Sequence, residues 1–170
     1  MLKYRYNEVI FIHRIKYFTP WILTISWMVI IFMFSAQQAE QSQETSSGFS
    51  EILANLLYND FEMLTTDKQT EILSNCQFIV RKCAHFSIYG MLGILTLISC
   101  KLSHIKKYPL ISAVICLIYA VSDEIHQHFV EGRSCEVRDM IIDFSGSVTG
   151  ILGIMIVFYF LNKKRKEVIK

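Results

Sequence analysis

The segment YAVSDEIHQHFVEGRSCEVRDMIID, from Tyr119 to Asp143, joins two apolar runs, yet it is crowded with carboxylates, histidines and arginines. An ionised side chain near the middle of a bilayer costs about 2.5 to 3.5 kcal/mol. If the flanking runs cross a membrane, these side chains must point toward other helices or water rather than toward lipid. That requirement decides the fold, because it forces several helices to meet around this segment.

The apolar character of the whole chain favours a membrane protein. Of its 170 residues, 52% are hydrophobic and only two are proline, and the mean hydropathy is +0.36. Four segments approach the length of about 20 mostly apolar residues that a membrane helix needs. They cover approximately residues 18–34, 78–100, 108–129 and 139–161. We therefore expect an all-α polytopic membrane protein, a four-helix transmembrane bundle in which residues 1–170 form a single domain.

Several function classes lack their sequence signatures. The chain contains no Walker loop and no GxGxxG, HExxH or GxSxG motif. Its basic residues stand at the predicted membrane boundaries, so nucleic-acid binding is not indicated. The five cysteines form no CxxC pair, and we expect them to be free and mostly buried. The sequence as a whole identifies no cofactor and no oligomeric state.

The distribution of basic residues orients the predicted spans. Cytoplasmic loops of membrane proteins carry an excess of Lys and Arg. Most of the 17 basic residues precede the first span, separate the second from the third, or follow the fourth. They are Lys3, Arg5, Arg14 and Lys16, then Lys101, Lys106 and Lys107, then Lys163, Lys164, Arg165, Lys166 and Lys170. We therefore expect a multi-pass protein of the cell membrane with both termini in the cytoplasm and an extracytoplasmic loop at residues 36–77.

This predicted loop contains two helix signals. Its apolar residues recur at helical spacing and form an amphipathic stripe of Phe49, Ile52, Leu53, Leu56 and Leu57. A second start signal follows, with Thr66 as N-cap and Gln69 three residues later. We expect short helices that lie on the outer membrane interface or cap the bundle.

The ionisable residues of the last three spans fall at the same predicted end of the bundle. On the second span Arg81, His85 and Tyr89 share one helical face, and on the third Asp123, His126 and Gln127 do, with Glu124 beside them. On the fourth, Asp139 and Asp143 share a stripe that continues through Gly146, Gly150 and Gly153, which would let a neighbouring helix approach closely. The sequence therefore predicts a polar pocket that opens outward above an apolar floor.

Three interpretations of this pocket remain open. The charges form a structural ion-pair network that fixes helix register, or they bind an anionic or amide-bearing headgroup, or they hold a metal. In the second case Arg81, Lys82, Arg133 and Arg138 would clamp a phosphate or carboxylate. Acid–base catalysis there would draw on His85, Asp123, Glu124 and His126. A metal would take its mixed nitrogen and oxygen ligands from His85, Asp123, His126 and Asp143.

Four blocks of the sequence resemble the VanZ-like family in their order and spacing. They are FSAQ at the end of the first span, RKCAHFSIYGMLG at Arg81–Gly93, SDEIHQHFVEGR at Ser122–Arg133 and RDMIIDFSGSVTG at Arg138–Gly150. The resemblance covers roughly residues 27–153 and implies a small bacterial multi-helix membrane protein. By match to the family pattern it carries over Arg81, Lys82, His85, Tyr89, Asp123, Glu124, His126, Gln127, Arg133, Asp139, Asp143, Gly146 and Gly150. The pattern also admits Asn at the position of Asp143, which weakens any mechanism that requires a negative charge there, and a metal site first.

The resemblance also implies a role in the cell envelope, because the family's namesake is associated with resistance to teicoplanin-type glycopeptide antibiotics. The expected partners are membrane lipids and a lipid-linked or glycopeptide ligand at the outer leaflet. Its binding residues would be Arg81, Lys82, Tyr89, Gln127, Arg133, Arg138, Asp139 and Asp143. Two other functions stay open: a membrane enzyme that modifies an amphiphilic envelope substrate by histidine–carboxylate chemistry, and a non-catalytic binding or scaffold protein.

Overall fold

The protein is all-helical over the residues that its computed structural model describes, 2–133 and 135–168, and no strand occurs among them. Five α-helices and one 3-10 turn follow each other along the chain. They are α1 (Leu2–Ser35), α2 (Ala39–Leu57), the 3-10 turn (Phe61–Met63), α3 (Thr66–Leu102), α4 (Tyr108–Gln127) and α5 (Val137–Val168). Over the described residues the fold therefore has one helix more than the four predicted spans, and that helix is α2.

Four of these helices are long and apolar enough to cross a membrane. The spans are Tyr17–Ser35, Thr66–Leu102, Tyr108–Gln127 and Val137–Glu167. Each contains most or all of one predicted span, so the prediction of four membrane helices is confirmed.

The second span begins well before the predicted position near residue 78. A helix does begin at Thr66, but the predicted N-cap is wrong by one residue: Thr65, in an extended conformation, is the N-cap, and its side chain makes no capping hydrogen bond. No proline or glycine interrupts the chain between Thr66 and the apolar run. The helix that begins at Thr66 therefore continues into the span, and the second of the two predicted loop helices is the first part of α3. At about 1.5 Å per residue α3 is roughly 55 Å long, against a hydrocarbon core of about 30 Å.

The closest helix pair is α3 with α5, and glycines allow the approach. A Cβ atom placed on Gly146 would come within 3.0 Å of the Phe86 backbone, and one on Gly150 would collide with the Gly90 backbone. The third glycine of the predicted stripe, Gly153, behaves differently, because a Cβ there would meet no atom within 4 Å. The α3–α5 contact therefore uses the first two glycines and diverges before the third. Gly146 meets Phe86 and Gly150 meets Gly90, so the residue numbers of the contacting pairs increase in the same direction along both helices. The two helices therefore run parallel.

Hydrogen bonds attach α1 to the other helices. The indole nitrogen of Trp21 donates to Ser103 Oγ at 2.8 Å, and that of Trp27 donates to the Ile88 carbonyl at 2.8 Å. The hydroxyl of Tyr119 on α4 donates to the Met28 carbonyl at 2.6 Å. The core between these helices consists of Ile31, Tyr89, Leu92, Cys116 and Ala120. All five cysteines are free as expected: Cys76, Cys100 and Cys116 are buried, whereas Cys83 and Cys135 are exposed.

Helix α2 packs on α3 through small residues and turns most of its apolar stripe away from the protein. Ser46, Ser50 and Ala54 recur every fourth position and are buried. In contrast, Leu56 is 76% exposed, and three more stripe residues, Phe49, Ile52 and Leu57, are exposed as well. The predicted amphipathic helix is therefore present, but its apolar face does not cap the bundle.

Candidate functional site

One end of the bundle gathers the ionisable residues that the sequence analysis singled out. The α1 and α4 helices end there, and α5 begins there. The ends of α1 and α4 are in contact, since Phe32 of α1 stacks on His126 of α4 with ring centroids 4.3 Å apart. The amide of Gln38, just after α1, donates to Glu131 in the linker that leads from α4 to α5. The first half of α3 completes this end through its contacts with α5. The fold thus brings three charged helix faces together, as predicted.

The most deeply buried contact between a histidine and a carboxylate joins α3 to α5. His85 Nδ1 lies 3.3 Å from Asp143 Oδ1, and the Asp143 side chain is 0% exposed whereas that of His85 is 23% exposed. Neither carboxylate oxygen of Asp143 has a hydrogen-bond partner among the described residues. A carboxylate beside Nδ1 fixes the orientation of an imidazole and leaves the other ring nitrogen for a second partner. This pair is therefore the arrangement at this end that could transfer a proton.

A second set of polar side chains links α3, α4 and the linker. The fully buried Tyr89 hydroxyl donates to Asp123 Oδ2 at 3.0 Å. The Gln127 amide donates to the same oxygen at 3.3 Å, and Arg133 donates to the Gln127 amide oxygen at 3.1 Å. Asp123 therefore accepts hydrogen bonds from two helices, and its position depends on both.

The rim of the site contains charges that are already neutralised. The Lys82 ammonium forms an ion pair with Asp139, and Arg138 binds Glu136 at 2.6 Å. Glu124 is buried and accepts a hydrogen bond from the backbone N–H of Glu136 at 3.0 Å. These contacts tie the start of α5 to α3 and α4.

Two arginines at this end lack a carboxylate partner. Arg81 makes no hydrogen bond or ion pair with the part of the chain that the structure describes, and Arg133 contacts an amide oxygen rather than a carboxylate. Burial lowers the pKa of the Arg133 guanidinium, and the nearby positive charge of Arg81 lowers it further. Asp123, Glu124 and Asp139 act in the opposite direction and raise it. The two half-buried guanidinium groups therefore lie near each other with no carboxylate within 4.0 Å among the described residues, which leaves N–H donors available to an anion.

Two cavities meet at these arginines. The first, here called the apolar chamber, has a volume of about 210 Å³ and lies between the end of α1, α2 and α3. Its apolar wall consists of Phe34, Phe49, Val80, Ala84 and Ile88. The second, the charged chamber, has a volume of about 160 Å³ and includes Lys82, Glu136, Arg138 and Asp139. Three residues line both chambers: Arg81, His85 and Arg133.

The apolar chamber was not predicted from the sequence, which indicated an apolar floor without its lining. Phe34 belongs to the FSAQ block and Phe49 to the amphipathic stripe of α2, so each carried a signal. Only the packing of α2 along α3 shows that they face the same space.

The four candidate acid–base residues do not form one group. His85 pairs with Asp143 instead of with Asp123 or Glu124. His126 stacks on Phe32, and its buried Nε2 atom has no hydrogen-bond partner among the described residues. No group of three or more histidine, cysteine, aspartate or glutamate side chains is arranged to hold a metal ion within the described part of the chain. The geometry therefore concentrates the candidate chemistry at His85 and Asp143.

Four membrane-length helices, two of which line a charged cavity at one end of the bundle, define a multi-pass helical membrane protein. The family model described as VanZ/LLP1 matches residues 18–159, which is most of the sequence. The chain belongs to this family, in agreement with the resemblance of its four sequence blocks. Neither curated proteins nor solved structures gave a match.

Proposed function

We propose that this cell-envelope membrane protein lowers susceptibility to teicoplanin-type glycopeptide antibiotics through the cavity at the charged end of its bundle. Family membership supports the envelope role. The observation that carries the proposal is the pair of chambers that share Arg81, His85 and Arg133, because a structural bundle has no need of a cavity lined by unpaired cations.

The proposal requires the cavity to face the outside of the cell. Basic residues concentrate near both termini and in the connection between α3 and α4, at the bundle end opposite to the chambers. By the positive-inside rule, this distribution supports cytoplasmic termini and chambers at the outer leaflet. In that orientation α2, with its exposed apolar stripe, lies at the outer membrane interface.

A susceptible bacterial host tests the proposal. Cells that express the chain are titrated with teicoplanin and, in parallel, with vancomycin; we expect a higher inhibitory concentration for teicoplanin. The variant Arg81→Gln removes the unpaired charge and is expected to lose the protection at an equal amount of protein in the membrane. Lys68→Gln removes one charge from an exposed position of the same helix outside both chambers and should retain it. Unchanged sensitivity to both antibiotics on expression of the unmodified chain would refute the proposal.

The buried His85–Asp143 pair favours a second candidate, a membrane enzyme that modifies an amphiphilic envelope substrate by acid–base chemistry. Asp143 would orient the imidazole, and His85, which lines both chambers, would exchange the proton. The variant Asp143→Asn keeps the side-chain size and removes the charge.

This variant also separates the enzyme from a scaffold. An enzyme should lose most of its protective activity while its thermal unfolding midpoint in detergent changes little. A scaffold should lose stability first, with protection declining only as the protein unfolds. Full protection by Asp143→Asn, at normal stability, would eliminate the acid–base candidate.

A further inference from the structure

The apolar and charged chambers differ in chemistry but share one boundary. The surface of the first is mainly apolar and comes from α1, α2 and α3, although Gln37, Thr45 and Ser46 also line it. The surface of the second is mainly polar, with charged side chains from α3, the linker and α5 beside Phe78. A ligand that extends across the boundary would place an apolar part in one chamber and a polar part in the other. Amphiphiles have this construction, and purely polar solutes do not.

The charge at the boundary indicates the sign of the polar part. In the charged chamber, the ammonium group of Lys82 lies within 4.0 Å of the Asp139 carboxylate, and the guanidinium group of Arg138 lies within 4.0 Å of that of Glu136. Arg81 and Arg133, which line both chambers, have no carboxylate within that distance among the described residues. The two guanidinium groups that have no close carboxylate therefore lie where the polar and apolar parts of an amphiphile would join.

The number and type of these cations favour phosphate. A guanidinium group binds a phosphate through two parallel N–H···O bonds, and two guanidinium groups can use different oxygens of one tetrahedral anion. A phosphate monoester carries a charge of about −1.5 to −2 at neutral pH, which matches two unpaired arginines. A single carboxylate would leave one of them uncompensated.

We propose that the two chambers form one binding site for a phosphate-bearing amphiphile, with the phosphate on Arg81 and Arg133 and the hydrocarbon chain in the apolar chamber. The α2 helix supplies a wall of the chain-binding half through Phe49, and its exposed stripe continues that apolar surface outward. The rest of the chain can thus stay in the lipid phase. This inference rests on the proposed function for the outward orientation of the site, but binding itself does not depend on it.

The full chain, purified in a neutral detergent, is titrated with monododecyl phosphate, and the bound fraction is read by native mass spectrometry. Dodecanol and inorganic phosphate are titrated separately, because each presents only one half of the ligand. We expect monododecyl phosphate to bind at least tenfold more tightly than either, a difference of at least about 1.4 kcal/mol.

Two pairs of matched variants address the two chambers. Arg81→Gln should weaken binding of monododecyl phosphate on the order of tenfold, since it removes a charge-assisted contact, whereas Lys68→Gln should not. Val80→Trp fills the apolar chamber and should weaken binding similarly. Its control, Ile79→Trp, adds the same ring at an exposed neighbouring position outside both chambers.

The outcomes separate the possible occupants. Equal affinity for dodecanol would show a chain site without head recognition, and equal affinity for inorganic phosphate would show a site for the free anion; either result overturns the proposal. So does unchanged binding by Arg81→Gln. Binding as expected without protection against teicoplanin would contradict only the proposed function, and protection without binding would contradict only this inference.

Discussion

Replacing Gly150 by alanine would place a methyl group against backbone rather than against a flexible side chain. The added Cβ would come within 3.0 Å of the Gly90 carbonyl group, whereas ordinary contacts lie at 3.4–4 Å. Backbone atoms of a helix cannot rotate away, so α5 must move from α3. Asp143 lies two turns before Gly150 on α5, and this movement would therefore lengthen the His85–Asp143 contact as well.

The expected cost follows from overpacking. Inserting a methylene group into a close-packed interface costs about 1 to 3 kcal/mol, and sometimes more. The control Gly153→Ala adds the same methyl group where no atom lies within 4 Å, and it gains up to about 1 kcal/mol of helix propensity. Gly150→Ala gains the same helix propensity, which therefore cancels between the two variants. We expect Gly150→Ala to be less stable than Gly153→Ala by about 1 to 3 kcal/mol, the cost of overpacking.

Unfolding in mixed micelles measures this difference. Each variant is titrated with sodium dodecyl sulfate in a neutral detergent, and loss of tertiary structure is followed by tryptophan fluorescence. Helix content by circular dichroism serves as the check that both variants begin folded. If Gly150→Ala unfolds at the same detergent ratio as Gly153→Ala, the glycine contact does not hold α3 and α5 together, and the reasoning fails.

Three further predictions use single positions. Tyr89→Phe removes a buried donor to Asp123 and should cost about 1 to 3 kcal/mol in the same titration; an unchanged transition would contradict the network. An impermeant maleimide applied to intact cells should label Glu131→Cys but not Lys106→Cys, in a background where serine replaces the native cysteines; the opposite pattern would invert the topology. A nitroxide at Leu56 should collide with oxygen more often than with an aqueous nickel chelate, because this exposed apolar position is expected in lipid; a preference for the chelate would place α2 in water.

The sequence predicted the number of spans and the clustering of charge because both depend on solvation. The length of an apolar run identifies a membrane helix whatever its packing partners are. Charged side chains within such a helix must point toward the interior of the bundle, because their exposure to lipid is costly. Periodicity also indicated the shared face of Arg81, His85 and Tyr89. These predictions required only the composition and the spacing of one segment at a time.

The sequence could not indicate which partners would meet. Periodicity defines a face of a helix, but the rotation and tilt of that helix depend on its neighbours, and one residue corresponds to about 100° of rotation. His85 accordingly pairs with Asp143, whereas His126 turns toward α1. The divergence of Gly153 from α3 has the same origin, since a stripe of glycines shows where helices can approach and not how far the approach continues.

A purely structural role would explain most of the charged contacts but not all of them. Each buried carboxylate of the cluster lies beside a donor or a basic side chain from another part of the chain, an arrangement that can fix helix register. The pairs are Tyr89 with Asp123, His85 with Asp143, the Glu136 backbone with Glu124, and Lys82 with the half-buried Asp139. A network selected for register alone would leave no cation unpaired beside another cation. Arg81 and Arg133 break that pattern at the boundary of two cavities, and the proposed anionic ligand would give them a close partner that no described residue supplies within 4.0 Å.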